Sequence, residues 1–325
     1  MNKDLPPHHK PDGGFQNPGD VRESGLFDVL RWVAQRDYFT SDRDPSAYNF
    51  TVLENDGVEL QKTKDLQVTW VGHATTLVQM GGVNILTDPI WSERCSPVAF
   101  AGPKRYTKPG IDFTKLPEID IVIISHNHYD HMDLPTLKDL QQKYKPKFFV
   151  GLGNKRMLEN EGLTNVTELD WWQTVEISEK QIQLHFTPTQ HFSGRGALDR
   201  DETLWGSFVL ERNGKRVYFA GDTAYFDGFK KIQERFGKID LAILPIGAYE
   251  PRWFMSPVHV NPEEAIRAFV DLKAEYMLPM HFQTFVLSDE KLDAPLKEAK
   301  QALSDVKSVK GKLLELKIGE TWVSP

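Results

Sequence analysis

The segment Ser125-His126-Asn127-His128-Tyr129-Asp130-His131 constrains this chain more than any other. It follows the apolar run Ile121 to Ile124, which reads as a buried strand. It precedes a helical stripe of Leu134, Leu137, Leu140 and Tyr144, with Asp133 placed to cap the first turn. His126, His128, Asp130 and His131 fall within six residues. Packing has no use for so dense a polar cluster. A tight loop cannot bring all of them onto one small tetrahedral ion, but they can be shared between two ions a few ångströms apart. Imidazole with carboxylate suits zinc, with iron or manganese as alternatives.

Three more ligand candidates follow strand-like runs. His191 comes after Leu184 to Thr189, Asp222 after Val217 to Gly221, and His281 after Tyr276 to Met280. Loops at the carboxyl ends of strands are where catalytic groups are commonly displayed. The expectation is that all three reach the rim that carries the first loop.

The rest of the chain supplies a scaffold for such a rim. Residues 1 to 65 begin with a proline- and glycine-rich stretch and read as an arm packed on the main domain, 66 to 325. Leu26, Val29, Leu30 and Val33 predict a short helix from Leu26 to Gln35. Strand signals occupy Val68 to Val71, Thr76 to Gln79, Val83 to Leu86, Phe148 to Val150, Gln181 to Phe186, Val217 to Ala220 and Leu241 to Ile246. Asn261-Pro262-Glu263-Glu264 is a helix start, with a cap residue, proline at the first position and glutamate at the third. Early strands followed by strand–helix alternation predict an α/β protein in which two sheets are covered by helices.

Composition narrows the function classes. A net charge of −7, without a basic block, disfavours a nucleic-acid partner. Cys95 is alone, so neither an intrachain disulfide nor a cysteine-based zinc site can form, and it reads as a small core side chain. No run reaches the roughly 18 apolar residues of a membrane span, and the first residues lack a secretory apolar segment. The expectation is a cytoplasmic or peripheral membrane protein.

The motif His-x-His-x-Asp-His, with the distant His, Asp and His, resembles the metallo-β-lactamase superfamily. Within it, SHNHYDHMD, LWGS, FAGDT, GAYEPRWFM and HVNPEEA resemble the N-acylphosphatidylethanolamine-hydrolysing phospholipases D. TWVGHATTLVQM, GGVNILTDPIWS and GPKR extend the similarity from about Leu66 into the C-terminal helices. The resemblance implies the four-layer αββα sandwich. It also implies two zinc ions, the first on His126, His128 and His191, the second on Asp130, His131 and His281, with Asp222 and a hydroxide bridging both. Asp130 and Asp222 would be the catalytic carboxylates, Asp130 orienting the hydroxide or carrying a proton to the leaving group. The implied reaction hydrolyses N-acylphosphatidylethanolamine or a related phospholipid to phosphatidic acid and an N-acylethanolamine, within the wider substrate class of phospholipids and other small phosphodiesters. Peripheral membrane contact and a homodimer are implied as well.

Acyl chains need an apolar cleft beside the metals. Tyr249, Trp253, Phe254, Met255 and Phe285 are candidates to line it, with Phe192 and Leu198 facing lipid. Arg252 is a candidate for the phosphate and His259 for substrate contact. His73 reads equally as a supporting or a structural residue, and His185 as a solvated side chain on the polar face of its strand. His8 and His9 fall in the arm with no metal assigned, and Lys104 and Arg105 read as solvated. Two other readings stand beside the phospholipase: a lactonase or other ester/amide hydrolase with the same metals, and a non-catalytic lipid-binding protein with an inert metal site.

Overall fold

The computed structural model describes residues 5–19, 21–22, 25–36, 40–196, 198–307 and 309–325. The first sheet contains β1 (Gln67–Gly72), β2 (Thr75–Met80), β3 (Val83–Thr87), β4 (Ile121–Ile123), β5 (Lys147–Gly151) and β6 (Val166–Leu169). The second contains β7 (Thr174–Ile177), β8 (Ile182–Thr187), β9 (Ser207–Arg212), β10 (Lys215–Phe219), β11 (Leu241–Pro245), β12 (Tyr276–Met280) and β13 (Lys312–Leu313). The chain then returns to the first sheet, where β14 (Thr321–Val323) pairs antiparallel with β1. Among the described residues each sheet has seven strands, ordered β14-β1-β2-β3-β4-β5-β6 and β13-β12-β11-β10-β9-β8-β7.

Strand alternation explains the layering. In β4, Ile121 and Ile123 face the core between the sheets, which they share with Phe149, Phe186, Phe208 and Phe219. Val122 and Ile124 face the other way, against Leu137, Leu140 and Leu158. Those leucines belong to α2 (Leu134–Lys143) and α3 (Lys155–Asn160). A strand buried on both faces reads as one continuous apolar run, which is why the sequence shows no alternation there. The outer face of the second sheet is covered by α4 (Gly228–Phe236) and α6 (Pro262–Asp271). The two mixed sheets with flanking helices make the αββα sandwich.

Of the remaining helices, α1 spans Leu26–Gln35 as its periodicity predicts, α5 is the short Arg252–Met255 turn, and α7 is Ala294–Asp305. The capping box of α6 forms as expected: Asn261 Oδ1 accepts the Glu264 N–H at 2.8 Å, and Glu264 Oε2 accepts the Asn261 N–H at 3.0 Å. Asp133 departs from expectation. It precedes α2, but its carboxylate accepts the Ser92 N–H, the Ser92 hydroxyl and the Thr136 hydroxyl, not a helix N–H. It therefore ties α2 to the loop after β3.

His185 is not solvated. It is 8% exposed, pairs through Nδ1 with Thr174 Oγ1 at 2.7 Å and packs against Phe236. Helix α4 covers the sheet face that strand alternation alone would leave to water. Among the described residues, no helix is long and apolar enough to cross a membrane.

Candidate metal centre

Strand direction delivers the polar groups to one rim. β8, β10, β11 and β12 run the same way, as do β3, β4, β5 and β6. Asp88 follows β3, the His126–His131 loop follows β4, and His191, Asp222 and His281 follow β8, β10 and β12. The two sheets must approach closely here. Gly221 has φ +60°, and a Cβ on it would lie 2.4 Å from the Ser125 Cβ, so glycine in this loop lets the two ligand loops meet.

Two groups of donors converge. In the first, His128 Nδ1 lies 2.8 Å from His126 Nε2 and 3.3 Å from His191 Nε2. In the second, His131 Nε2 and His281 Nε2 lie 3.2 Å apart, and each is 3.3 Å from Asp130 Oδ2. Asp222 Oδ2 closes this group at 3.2 Å from His131 and 3.1 Å from His281, and sits 3.9 Å from His191 of the first. Tetrahedral zinc with nitrogen ligands has donor–donor edges of about 3.3 Å, which follows from bonds of about 2.0–2.1 Å. Five donor–donor distances in the second group, 3.1 to 3.3 Å, match that spacing.

The outer hydrogen bonds fix which ring nitrogen points inward. Ser125 Oγ donates to Asp88 Oδ2 at 2.6 Å, so at 2.9 Å it accepts the Nδ1–H of His126. His131 gives its Nδ1–H to Asp88 Oδ2 at 2.6 Å, and His191 gives its own to the Val258 carbonyl at 2.8 Å. The Nε2 atoms of all three are thereby turned into the site, as metal-binding imidazoles require. Asp222 Oδ1 is buried and, among the described residues, has no hydrogen-bond partner. The donor set fits divalent ions.

Charge in the protein without metal follows the same division. Burial, then the neighbouring imidazoles, hold His126 well below the ordinary histidine value; burial does the same to His191 and sets His128 at about 4. Burial also opposes charge on His281, but Asp222 and hydrogen bonds to Asp130 and Asp222 outweigh it and raise it to about 9. His131 is likewise raised by Asp222 and Asp130 against burial. Protons thus take the place of a cation in the carboxylate-rich group and are absent from the histidine-rich one.

His73 stands behind the second group. Its Nε2 is 2.9 Å from Asp130 Oδ2, its carbonyl accepts the His281 N–H at 3.1 Å, and burial sets its pKa at about 3. His73, Asp88 and His281 have left-handed φ values of 54°, 35° and 65°. Such conformations are uncommon outside glycine and gather at functional sites.

A cleft of about 360 Å³ opens over the donors. Val29 and Trp32 of α1, Phe192, Phe254, Met255, Val258 and Leu287 form its apolar wall, with His128, Asp130, Asp222, His259 and His281 at its base. Arg200 also lines the cleft, with Nε 3.7 Å from Asp201 Oδ2. Its guanidinium lies 4.2 Å from the Phe192 ring, and that ring packs edge-on to His128 at 4.4 Å.

Several expected lining residues lie elsewhere. Tyr249 is buried and donates its hydroxyl to Glu298 at 2.8 Å. Trp253, half-buried, is not part of the cleft lining and packs beneath Arg31, whose guanidinium lies 4.4 Å from the ring centroid. Phe285 packs against Ile90 and Cys95 and edge-on to His73, so it backs the site from behind. Arg252 is committed to Glu264 at 2.7 Å and to the His259 carbonyl at 3.0 Å, because the capping glutamate of α6 lies beside it. Leu198 is 94% exposed, outside the cleft.

Arg105 is not solvated. It donates to the Ile90 carbonyl at 2.7 Å and to the Ser92 carbonyl, beneath Phe285, whereas Lys104 stays exposed beside Glu93. Cys95 is buried, and burial pushes its thiol up. His8 and His9 each reach one oxygen of Asp170, at 2.6 and 2.8 Å, which anchors the segment that carries them.

The sequence pattern of the beta-lactamase superfamily domain matches residues 83–282. Over 329 aligned residues the chain is 39% identical to the N-acyl-phosphatidylethanolamine-hydrolyzing phospholipase D 1 of Caenorhabditis elegans, covering 95% of this chain and 92% of that one. This chain belongs to the metallo-β-lactamase superfamily, in the family of those phospholipases. It is a metal-dependent hydrolase. The mitochondrial N-acyl-phosphatidylethanolamine-hydrolyzing phospholipase D of Saccharomyces cerevisiae is 39% identical over 258 residues, covering 78% of this chain and 55% of that protein. Among solved structures, the metallo hydrolase Igni18 of Ignicoccus hospitalis superposes with a TM-score of 0.61 at 24% identity, covering 79% of this chain and 97% of that one. That likeness shows the metallo-β-lactamase fold.

Residues of this superfamily member that sequence reasoning left without a role include Asp88, Ser125, Trp32 and Arg200. Asp88 left a trace as the aspartate directly after a strand in Leu86-Thr87-Asp88-Pro89, and Ser125 as the first residue of the histidine-rich segment.

Proposed function

We propose that this chain is a zinc-dependent phospholipase D that hydrolyses N-acylphosphatidylethanolamine, or a related phosphodiester, to phosphatidic acid and an N-acylethanolamine. The observation that carries this reading is the cleft: one side presents a His/Asp donor cluster and the other an apolar wall of Trp32, Phe192, Phe254, Met255 and Leu287. A diester bond at the donors with acyl chain along the wall uses both. The match to the C. elegans phospholipase along nearly the whole chain supports the choice of bond.

His126, His128 and His191 would hold one ion, and Asp130, His131 and His281 the other, with Asp222 between them. Two such ions supply an activated water and offset the charge that develops on the phosphoryl oxygens. The protein's own groups do the rest. Asp88 and Ser125 keep the ring nitrogens aimed inward. Arg200, stacked on Phe192 and with Nε 3.7 Å from Asp201 Oδ2, would offer its remaining N–H groups to a phosphoryl oxygen. His259, 13% exposed and with Nδ1 3.9 Å from Asp222 Oδ2, lines the cleft beside the donors and would contact the substrate there. The apolar wall excludes water from the acyl chain.

The test is mass spectrometry of products from a defined N-acylphosphatidylethanolamine, with metal content measured in the same preparation. Equimolar N-acylethanolamine and phosphatidic acid are expected, with turnover lost on chelation and regained on adding zinc. Release of free fatty acid, or turnover of lactones with none of the phosphodiester, overturns the reading.

A further inference from the structure

His191 follows β8 by several residues, and among the described residues no backbone group pairs with its N–H or carbonyl. Both are taken by one side chain 174 positions away. Asn17 Nδ2 donates to the His191 carbonyl at 2.7 Å, and the His191 N–H donates to Asn17 Oδ1 at 3.0 Å. A primary amide holds donor and acceptor in one plane, as a peptide does, so Asn17 pairs with His191 as a neighbouring strand would. With the ring fixed through Nδ1 to Val258, side chain and backbone of this one residue are both held.

The segment carrying Asn17 is itself anchored. His9 and Phe15 form a bridge across a tight turn, and Phe15 is buried, with its N–H on the Asp201 carbonyl at 2.8 Å. His8 stacks on Trp171 at 4.3 Å while its Nε2 and that of His9 meet Asp170. These contacts lie on the sandwich close to where His191 leaves it. Asn17 is thus a fixed amide, not a passing contact of a loose tail.

We infer that the segment ahead of the first strand completes the metal centre, with Asn17 as a positioning residue that sets the backbone of His191. The inference rests on His191 being a ligand. Groups that orient metal ligands without touching the metal change affinity by about 10–100-fold when removed. Asn17→Ala leaves both backbone groups of His191 without their partner and so loosens the histidine-rich group only.

The experiment follows zinc release into a chromogenic chelator for wild type, Asn17→Ala, Asn17→Gln and His191→Ala. The d–d spectrum of each cobalt-loaded protein and the melting temperature of each metal-free protein are recorded alongside. Expected for Asn17→Ala is release of one ion about tenfold faster, an altered cobalt spectrum and an unchanged slow-releasing ion. Asn17→Gln, which keeps the amide but displaces it by one methylene, falls between. If Asn17→Ala lowers the melting temperature while release and spectrum match wild type, Asn17 is structural only and the inference is overturned. If His191→Ala itself retains both ions, the ligand assignment fails, and the inference with it.

Discussion

Asp88 accepts the Nδ1–H of His131 at 2.6 Å while the same carboxylate takes the N–H and hydroxyl of Ser125 at 2.7 and 2.6 Å. One fully buried side chain thus orients a ring in the carboxylate-rich group and, through Ser125, a ring in the histidine-rich group. If each group of donors holds an ion as proposed, Asp88→Ala should therefore weaken metal binding at both, by about 10–100-fold in affinity. It also strands buried donors at about 1–3 kcal/mol each. Metal analysis after dialysis and a thermal melt of the metal-free protein read the two effects separately. Full metal retention would contradict the role assigned to Asp88.

The two groups of donors should load with different pH dependence. His281 is raised to about 9 and His131 is raised with it, so an ion entering there at neutral pH must displace protons. Affinity in that group should fall as pH drops from about 9, since protons then compete more strongly. His128 sits at about 4, with His126 and His191 also low, so the other group is already deprotonated and its affinity should be flat across neutral pH. Calorimetric titration with zinc in two buffers of different ionisation enthalpy would show proton release for one ion only. Equal release for both would refute the assignment.

Arg200 should select for negative charge on the substrate. It is 37% exposed and has Nε 3.7 Å from Asp201 Oδ2, so in the proposed complex a bond to a phosphoryl oxygen would lie near the low end of the about 1.5–3 kcal/mol range for charged groups. Arg200→Ala should raise KM for a phosphodiester about tenfold, with a smaller change in kcat and no change for a neutral ester. Arg200→Lys should recover part of the loss. Identical KM values for both substrate types across the variants would remove Arg200 from the site.

Gly221→Ala should separate the two ligand loops. The new methyl would meet Ser125 at 2.4 Å in a left-handed conformation, so the Asp222 and His126 loops must move apart. Misplacement of about 1 Å costs on the order of 100-fold in rate. A loss of that size in kcat, with far-ultraviolet circular dichroism unchanged, is expected. Wild-type turnover would show that the loops have room to spare.

Much of the scaffold was legible because burial leaves a periodic mark. The run Ile121 to Ile124, the stripe from Leu134 to Leu140 and the Asn261 capping box each report local rules, and each forms where those rules place it. The ligand candidates were legible for a different reason: no local packing rule explains His126, His128, Asp130 and His131 side by side. Arg252 shows where such reading stops. Its placement beside aromatic residues suited a phosphate contact, but Glu264, twelve residues on, lies within 2.7 Å of it. His185 failed likewise, since strand alternation cannot register that α4 lies over the face it points to.

The sequence by itself determined the chemistry available to this chain: imidazoles and carboxylates after strands, on a scaffold of two sheets and covering helices. Only the tertiary structure decided how that chemistry is grouped and served, with Asp88 under His131, Arg200 on Phe192 and Asn17 across from His191. The reason is physical. Periodicity and capping are set by neighbours within a turn or two of chain. The partners of a buried polar group are set by whichever segments packing brings within hydrogen-bond reach, and their separation along the chain leaves no local mark.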